Sequence, residues 1–382
     1  MANFLVNPEP NQINWKDDSS YLFFNTSWPP QMLRRLENLQ KQIASYPSRI
    51  WLMTSGSQGF PKCVGLTKEG FLKSAESLSK RYGFKANEIW LSSLPGYHVG
   101  GLSIWARAFK SGQKISSFGD WSPKDFHEAC NRERAQWTSL VPTQIYDLVQ
   151  LDLPAPQSLR GVFVGGGPLR SDLYWAAREL KWPLLPTYGM TEASSQIATA
   201  SLETLKYKGE PKLEILEHVK VKTDAQGRVG IAGASVTDLI AVCEGETWNI
   251  SDPRDADGFY WTQDCGELKA NDFFLLGRAD DLKKIRGELV SLNLMQGRLD
   301  QSLLELRLNL GPVIHFLPDS RTGYKVVLVM EPADWNQAEN IKQRLKSKCA
   351  PYEQVEQVYV VQSIPKSDIG KIKRQELEQL LR

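Results

Sequence analysis

Between residues 49 and 186 the chain alternates two kinds of segment. Short apolar runs, "RIWLM" (49–53), "IWLSS" (89–93), "TSLV" (138–141), "GVFVG" (161–165) and "PLLPTYG" (183–189), read as buried strands. Amphipathic stretches lie between them. One follows Thr67, with Phe71, Ala75 and Leu78 on one face and Gly83 as its stop. A second opens with Ser122 as cap and Pro123 at its first position, and a third follows Pro168. Strand–helix alternation predicts a mainly parallel sheet covered by helices, an α/β class.

The pattern changes at about Lys206. Through about Leu276, Gly, Asp and Thr punctuate short alternating runs, "HVKVKT", "RVGIAG" and "LIAVCEG", which predict a β-rich subdomain. After "GRADD" come helix-, strand- and helix-like segments, enough for a small α+β domain. With 382 residues the chain exceeds one ordinary core, so two or more domains are expected.

Composition narrows the classes. Apolar residues make up 41% and charged residues 24%, a globular balance, and the net charge of +2 gives no reason to expect a nucleic-acid or membrane partner. No run is long and apolar enough to span a bilayer, and "MANFLVNPEPNQINW" lacks the basic and apolar regions of a signal peptide. The cysteines at 63, 130, 243, 265 and 349 are scattered and form no CxxC pair. They suggest neither zinc nor a disulfide framework, and a reduced, cytoplasmic setting is expected.

Several loops carry chemistry. "TSGSQGFPK" (54–62) is small, polar and flexible, and it ends on Lys62. Backbone N–H groups of such a turn can surround phosphate oxygens, with hydroxyls and a cation added. The nucleotide-loop pattern G-x-x-x-x-G-K-[ST] is not met, because Pro61 replaces its second Gly. A plain surface turn is the alternative. A hydrolytic reading would make Ser57 a nucleophile with His127, His218 or His315 as base, but Ser55 stands where the elbow G-x-S-x-G needs Gly.

"GVFVGGGPL" places three glycines after an apolar strand, where ligands bind in open α/β sheets, although Arg170 breaks the dinucleotide fingerprint. "PTYGMTEASSQ" offers an aromatic, hydroxyls, an amide and a carboxylate, Glu192, able to hold Mg²⁺ against phosphate. Its plainer reading makes Tyr188 a core residue and Glu192 a solvated one. "YHVGGLSIWARAF" carries His98 and, in a helix-like stretch, Arg107; "WTQDCGEL" carries Asp264; "PKSDIGKIKR" carries Lys371.

In order, "TSGSQGFPK", "GGGP", "TYGMTE", "TQDCGEL", "GRADDLKKIRG" and "PKSDIGKIKR" resemble the motif set of the acyl-adenylate-forming enzymes, from about residue 50 to the C-terminus. Within that family, "YHVGGLSIWARAF", "VFVGGGPLRSDL" and "TYGMTEASSQIAT" look most like the o-succinylbenzoate–CoA ligases of menaquinone biosynthesis.

The resemblance implies an AMP-forming acid–CoA ligase using ATP, Mg²⁺ and CoA. A carboxylate attacks the α-phosphate to give acyl-AMP and diphosphate, and CoA then displaces AMP. It implies that Thr54, Ser55, Gly56, Ser57, Gly59 and Lys62 surround the β- and γ-phosphates. Gly166, Gly167, Tyr188 and Gly189 line the adenine slot, Thr191 touches the α-phosphate, and Glu192 holds the metal. Asp264 and Arg278 bind ribose, and Lys371 bridges the carboxylate and α-phosphate. Lys284 and Gly287 serve CoA after a rotation about a hinge at Asp280. His98, Arg107, Ser194, Ser195 and Gln196 are the acyl-pocket candidates, with His98 also placed in the catalytic group. The implied division is an N-terminal adenylate-forming domain, 1–277, containing the β-rich 206–276, and a small mobile domain, 278–382.

The chain departs from the family at three places. A longer stretch usually precedes the phosphate loop, so one N-terminal subdomain, which walls the acyl pocket and forms dimers, is expected to be missing or replaced by the helix-like "QMLRRLENLQKQIASY". Gln58 replaces a usual Thr or Ser, and Gln263 the usual Gly before Asp264. A ligase for another aryl or fatty acid, and a shortened non-catalytic nucleotide-binding homologue, are the alternative readings.

Overall fold

The computed structural model describes residues 3–26, 30–54, 62–245, 247–308, 311–365 and 372–381. It divides into two compact units: 1–262 with 267–274, and 263–266 with 275–382.

In the first unit, five parallel strands are ordered Lys114–Ser117, Ile89–Ser92, Trp137–Leu140, Gly161–Val164 and Leu184–Met190. The sheet continues antiparallel through Ser195–Ala200, Leu213–Ile215 and the start of Asp272–Arg278. Four of the five apolar runs lie here. The fifth, Arg49–Thr54, does not. It belongs to a six-stranded sheet, parallel to Ser20–Phe23 and antiparallel to Lys62–Thr67. Strand Leu239–Glu244, from the β-rich stretch, pairs with Lys62–Thr67 in that same sheet. The β-rich stretch thus divides its strands between two sheets.

Local signals set the helices. Helix Lys68–Tyr82 begins where Thr67 accepts from the Gly70 N–H and ends at Gly83, with φ 61°. Its Phe71 and Ala75 pack with Ile50, Leu52 and Leu102 in one core cluster, and its Leu78 packs with Trp90 and Phe163 in another. Ser122 accepts from the Asp125 N–H and starts Pro123–Glu133, and Ser171–Glu179 is the third expected helix. Segment 31–46 yields helix Pro30–Ile43, whose Leu36, Leu39 and Ile43 are buried against Trp51 and Trp248.

In the second unit, hairpin Leu282–Ile285/Glu288–Ser291 precedes helix Leu292–Glu305. A three-stranded sheet follows, with Gly323–Met330 central, together with helices Ala338–Lys346 and Arg374–Leu381. Its core contains Met295, Leu299, Ile314, Leu328 and Ile341. Among the described residues, no helix is long and apolar enough to cross a membrane.

Candidate active site

The parallel strands aim their C-terminal ends at one cavity of about 660 Å³. Such ends are the usual ligand crevice of an open α/β sheet. Ser139 and Leu140, Phe163 to Gly166, and Thr187 to Thr191 contribute wall residues from three successive strand ends, and His98 and Arg107 come from the segment leading into and along helix Val99–Ser111. Gly101 makes that approach possible, since a Cβ there would lie 2.3 Å from the Pro95 carbonyl oxygen.

Arg107 is 2% exposed. Its guanidinium carbon lies 5.2 Å from the Trp90 ring centre and 5.6 Å from that of Phe163, so aromatic faces hold the cation. Burial lowers its pKa to about 10, which leaves it charged at neutral pH. Nη2 donates to Ser195 Oγ at 3.3 Å, whereas Nη1 has no hydrogen-bond partner among the described residues. The buried Gln196 Oε1 is also unpartnered there. A buried charge without a counter-charge is costly, so this wall is built for an anion.

His98, at the start of the helix, keeps its ring 4.6 Å from Tyr97. The residue stays open to solvent, yet desolvation by the surrounding wall lowers its pKa and favours neutral imidazole.

Thr54 and Lys62 are paired across their strands and form the base of the expected phosphate loop. Ser55, Gly56, Ser57 and Gly59 lie outside the described residues, as do Lys371 and the side chain of Asp280. The Lys62 ammonium pairs with Glu192 Oε1, and the Tyr260 O–H donates to the same oxygen at 3.1 Å. Glu192 is thus a paired, largely buried carboxylate rather than a solvated one. The Thr237 N–H donates to the Glu192 carbonyl at 2.8 Å, and Ser194 Oγ to the Ser235 carbonyl at 2.8 Å, which fixes the turn.

The cavity wall takes in His98, Arg107, Gly166, Gly189, Thr191, Ser195 and Gln196 from the expected set. Among the described residues of the first unit, Thr54, Lys62, Gly167, Tyr188, Glu192 and Ser194 are not on this wall. Ser194 spends its hydroxyl on Ser235 and is fully buried off the wall. Tyr188 is 6% exposed with its ring 4.8 Å from Phe273, so strand alternation turns Thr187 and Gly189, not Tyr188, to the cavity. Gly166, with φ 80°, and Gly167 form an open, exposed turn. Trp121 and Gln144 line the wall from outside the motifs, Phe163 and Thr187 line it from inside them without being candidates, and Tyr260 reaches Glu192 across 68 residues of chain.

In the second unit, Asp264 lies in segment 263–266 and Arg278 is exposed at a strand end. Lys284 is exposed on the Leu282–Ile285 hairpin. Arg286 (φ 54°) and Gly287 (φ 88°) make its tight turn, a conformation that explains Gly at 287 locally.

The three histidines that the hydrolytic reading names as base lie away from the cavity. His127 contacts the Pro154 carbonyl, while burial holds His218 and His315 near pKa 4.

The 2-succinylbenzoate–CoA ligase of Bacillus cytotoxicus is 29% identical over 355 residues, which cover 90% of this chain and 72% of that protein. Among solved structures, o-succinylbenzoate CoA synthetase from Bacillus subtilis with the acyl-adenylate OSB-AMP aligns at TM-score 0.74, with 22% identity over 94% of this chain and 83% of that one. Its complex with ATP and magnesium aligns at 0.75, with 21% identity over 100% and 89%. At those identities the structures speak for the fold. The sequence speaks for the family: residues 40–237, more than half the chain and the stretch that builds the cavity, match the AMP-binding enzyme family, and the chain belongs to it.

Proposed function

We propose that this chain is an AMP-forming acid–CoA ligase whose acid is 2-succinylbenzoate. ATP and the acid give 2-succinylbenzoyl-AMP and diphosphate, and CoA then gives 2-succinylbenzoyl-CoA and AMP. Arg107 carries the reading: a buried, charged guanidinium with no carboxylate partner among the described residues, on the wall of the main cavity. The acid has two carboxylates. One reacts, and the other pairs with Arg107, which can offer a forked contact. Volume agrees, since about 660 Å³ lies within the range of small-molecule sites. A fatty acid would leave the guanidinium buried and unpaired, which disfavours that alternative.

In this reading the loop from Thr54 to Lys62 receives the β- and γ-phosphates. Gly166, Gly167 and Gly189 serve adenine, Thr191 the α-phosphate, and Asp264 and Arg278 the ribose, while Tyr188 belongs to the core beneath. Lys371 neutralises charge as the carboxylate meets phosphorus, and neutral His98 stands beside the acyl group. Lys284 and Gly287 act in the CoA step, after the second domain turns about Asp280.

Glu192 fits a hard cation. Its Oε1 already takes the Lys62 ammonium. Among the described residues no cluster of three or more His, Cys, Asp or Glu exists, so a single carboxylate with phosphates and water is the set available, as Mg²⁺ prefers. Bound there, Mg²⁺ would neutralise phosphate charge. The five cysteines are free, which supports the reduced, cytoplasmic setting included in the proposal.

The test is acid-dependent diphosphate release with a panel of acids, followed by CoA thioester formation. The reading expects 2-succinylbenzoate to give the highest kcat/KM, and Lys371→Ala to lose diphosphate release. Absence of release with every acid in the panel would favour the non-catalytic homologue.

A further inference from the structure

Two donors meet on one oxygen of Glu192. The Lys62 ammonium and the Tyr260 O–H both bond Oε1, and Oε2 takes part in neither bond. The donors differ in kind. An ammonium neutralises the carboxylate and competes with any cation approaching it. A phenol is neutral, so it fixes the direction of the carboxylate while leaving its charge for another partner. Tyr260 is suited to that task. Its ring packs against the cluster containing Tyr188, Val229 and Phe273, so the hydroxyl is held in place.

We infer that Tyr260 is a positioning residue for the adenylation step: it holds Glu192 Oε1 so that Oε2 faces the magnesium–nucleotide complex once Lys62 leaves for phosphate. This rests on the reading of Glu192 as the metal-holding residue. Lys62 sits at the base of the phosphate loop, where incoming phosphates compete with Glu192 for its charge. With Lys62 gone and no second donor, the carboxylate would turn freely about its last torsion, which is broad and two-fold. Tyr260 removes that freedom before the metal arrives.

The experiment compares wild type, Tyr260→Phe, Glu192→Gln and the double variant. Diphosphate release is followed against free Mg²⁺ at saturating ATP and acid. Mn²⁺ binding to enzyme with a non-hydrolysable ATP analogue is followed separately by electron paramagnetic resonance. Tyr260→Phe is expected to raise both metal midpoints on the order of tenfold, the value of one hydrogen bond to a charged group. The KM for the acid and the Tm should change little, and the double variant should bind Mn²⁺ no worse than Glu192→Gln. An unchanged Mn²⁺ midpoint in Tyr260→Phe, with or without a lowered Tm, makes Tyr260 merely structural and overturns the inference. So does additivity in the double variant. If Glu192→Gln itself leaves the midpoint unchanged, the metal role of Glu192 falls and takes this inference with it; if only Tyr260→Phe is silent, the role of Glu192 stands.

Discussion

Arg107 Nη2 donates to Ser195 Oγ at 3.3 Å, and that hydroxyl is the polar partner the described residues give this buried cation. Helix Val99–Ser111 brings the arginine, and the strained end of the Leu184–Met190/Ser195–Ala200 hairpin brings the serine, with φ 124°. The pair lies on the cavity wall, where the proposed function puts the acyl group.

Arg107→Met should therefore separate two kinds of acid. Truncating one partner of a buried charge pair costs about 2–5 kcal/mol, so kcat/KM for 2-succinylbenzoate should fall about a hundredfold or more. An aryl acid with one carboxylate should lose little. Steady-state kinetics with both acids checks this, and equal losses would mean that the arginine only supports the fold.

The Arg49–Asp238 pair ties the site turn to the first sheet. Arg49 holds both oxygens of Asp238, at 2.5 and 2.9 Å, beside Thr237, whose N–H reaches the Glu192 carbonyl. Burial pushes the Asp238 pKa up, but the Arg49 hydrogen bonds and charge outweigh it, and the net shift is downward. A depressed carboxyl stabilises the fold above its unfolded pKa of about 3.9 and loses that contribution as pH falls through the folded value. Asp238→Asn should lower Tm by roughly 2–4 °C near pH 7. The gap from wild type should close below about pH 4. Thermal melts across pH measure it, and a gap that widened in acid would contradict the sign.

Lys68 anchors the N-terminal segment. It is 2% exposed and donates to the carbonyls of Asn14 and Asp17 and to Asp17 Oδ1 at 2.7–2.9 Å. Lys68→Met would strand these acceptors, a loss of about 2–4 kcal/mol. Urea unfolding should show it, and limited proteolysis should cut first near residues 14–19. A stability within about 0.5 kcal/mol of wild type would mean that water replaces the ammonium at no cost.

Much of this was legible locally. Thr67 with Gly83, and Ser122 with Pro123, mark helix ends because a cap or a positive φ is a near-neighbour requirement. The motifs likewise located Arg107, Thr191, Ser195 and Gln196 on the wall. What failed was long-range or directional. An apolar run does not say which sheet it joins, so Arg49–Thr54 and Leu239–Glu244 went unassigned to their common sheet. Adjacent hydroxyls at 194 and 195 look alike in sequence but point to different partners. Tyr188 drew attention as an aromatic, whereas alternation sends its neighbours to the cavity. The bond from Tyr260 to Glu192 closes a loop of 68 residues that no motif spans.

Gly189 tests whether the hairpin itself sets the wall. It lies opposite Gln196, and a Cβ there would stand 2.0 Å from the Ser195 carbonyl oxygen and 2.8 Å from the Gln196 Cα. Both obstacles are backbone, so Gly189→Ala must part the strands, at a cost of about 1–3 kcal/mol or more. Parting them shifts Ser195 and Gln196 away from Arg107, so diphosphate release should fall by more than the loss of folded protein explains. Gly83→Ala is the control. Its φ of 61° is equally unsuited to a side chain, but nothing lies within 4 Å. It should cost about 1 kcal/mol of stability and leave kinetics intact. Melting curves and kcat/KM for both variants decide the matter: if Gly189→Ala keeps the wild-type KM for the acid while losing stability like Gly83→Ala, the hairpin's close approach serves only the fold.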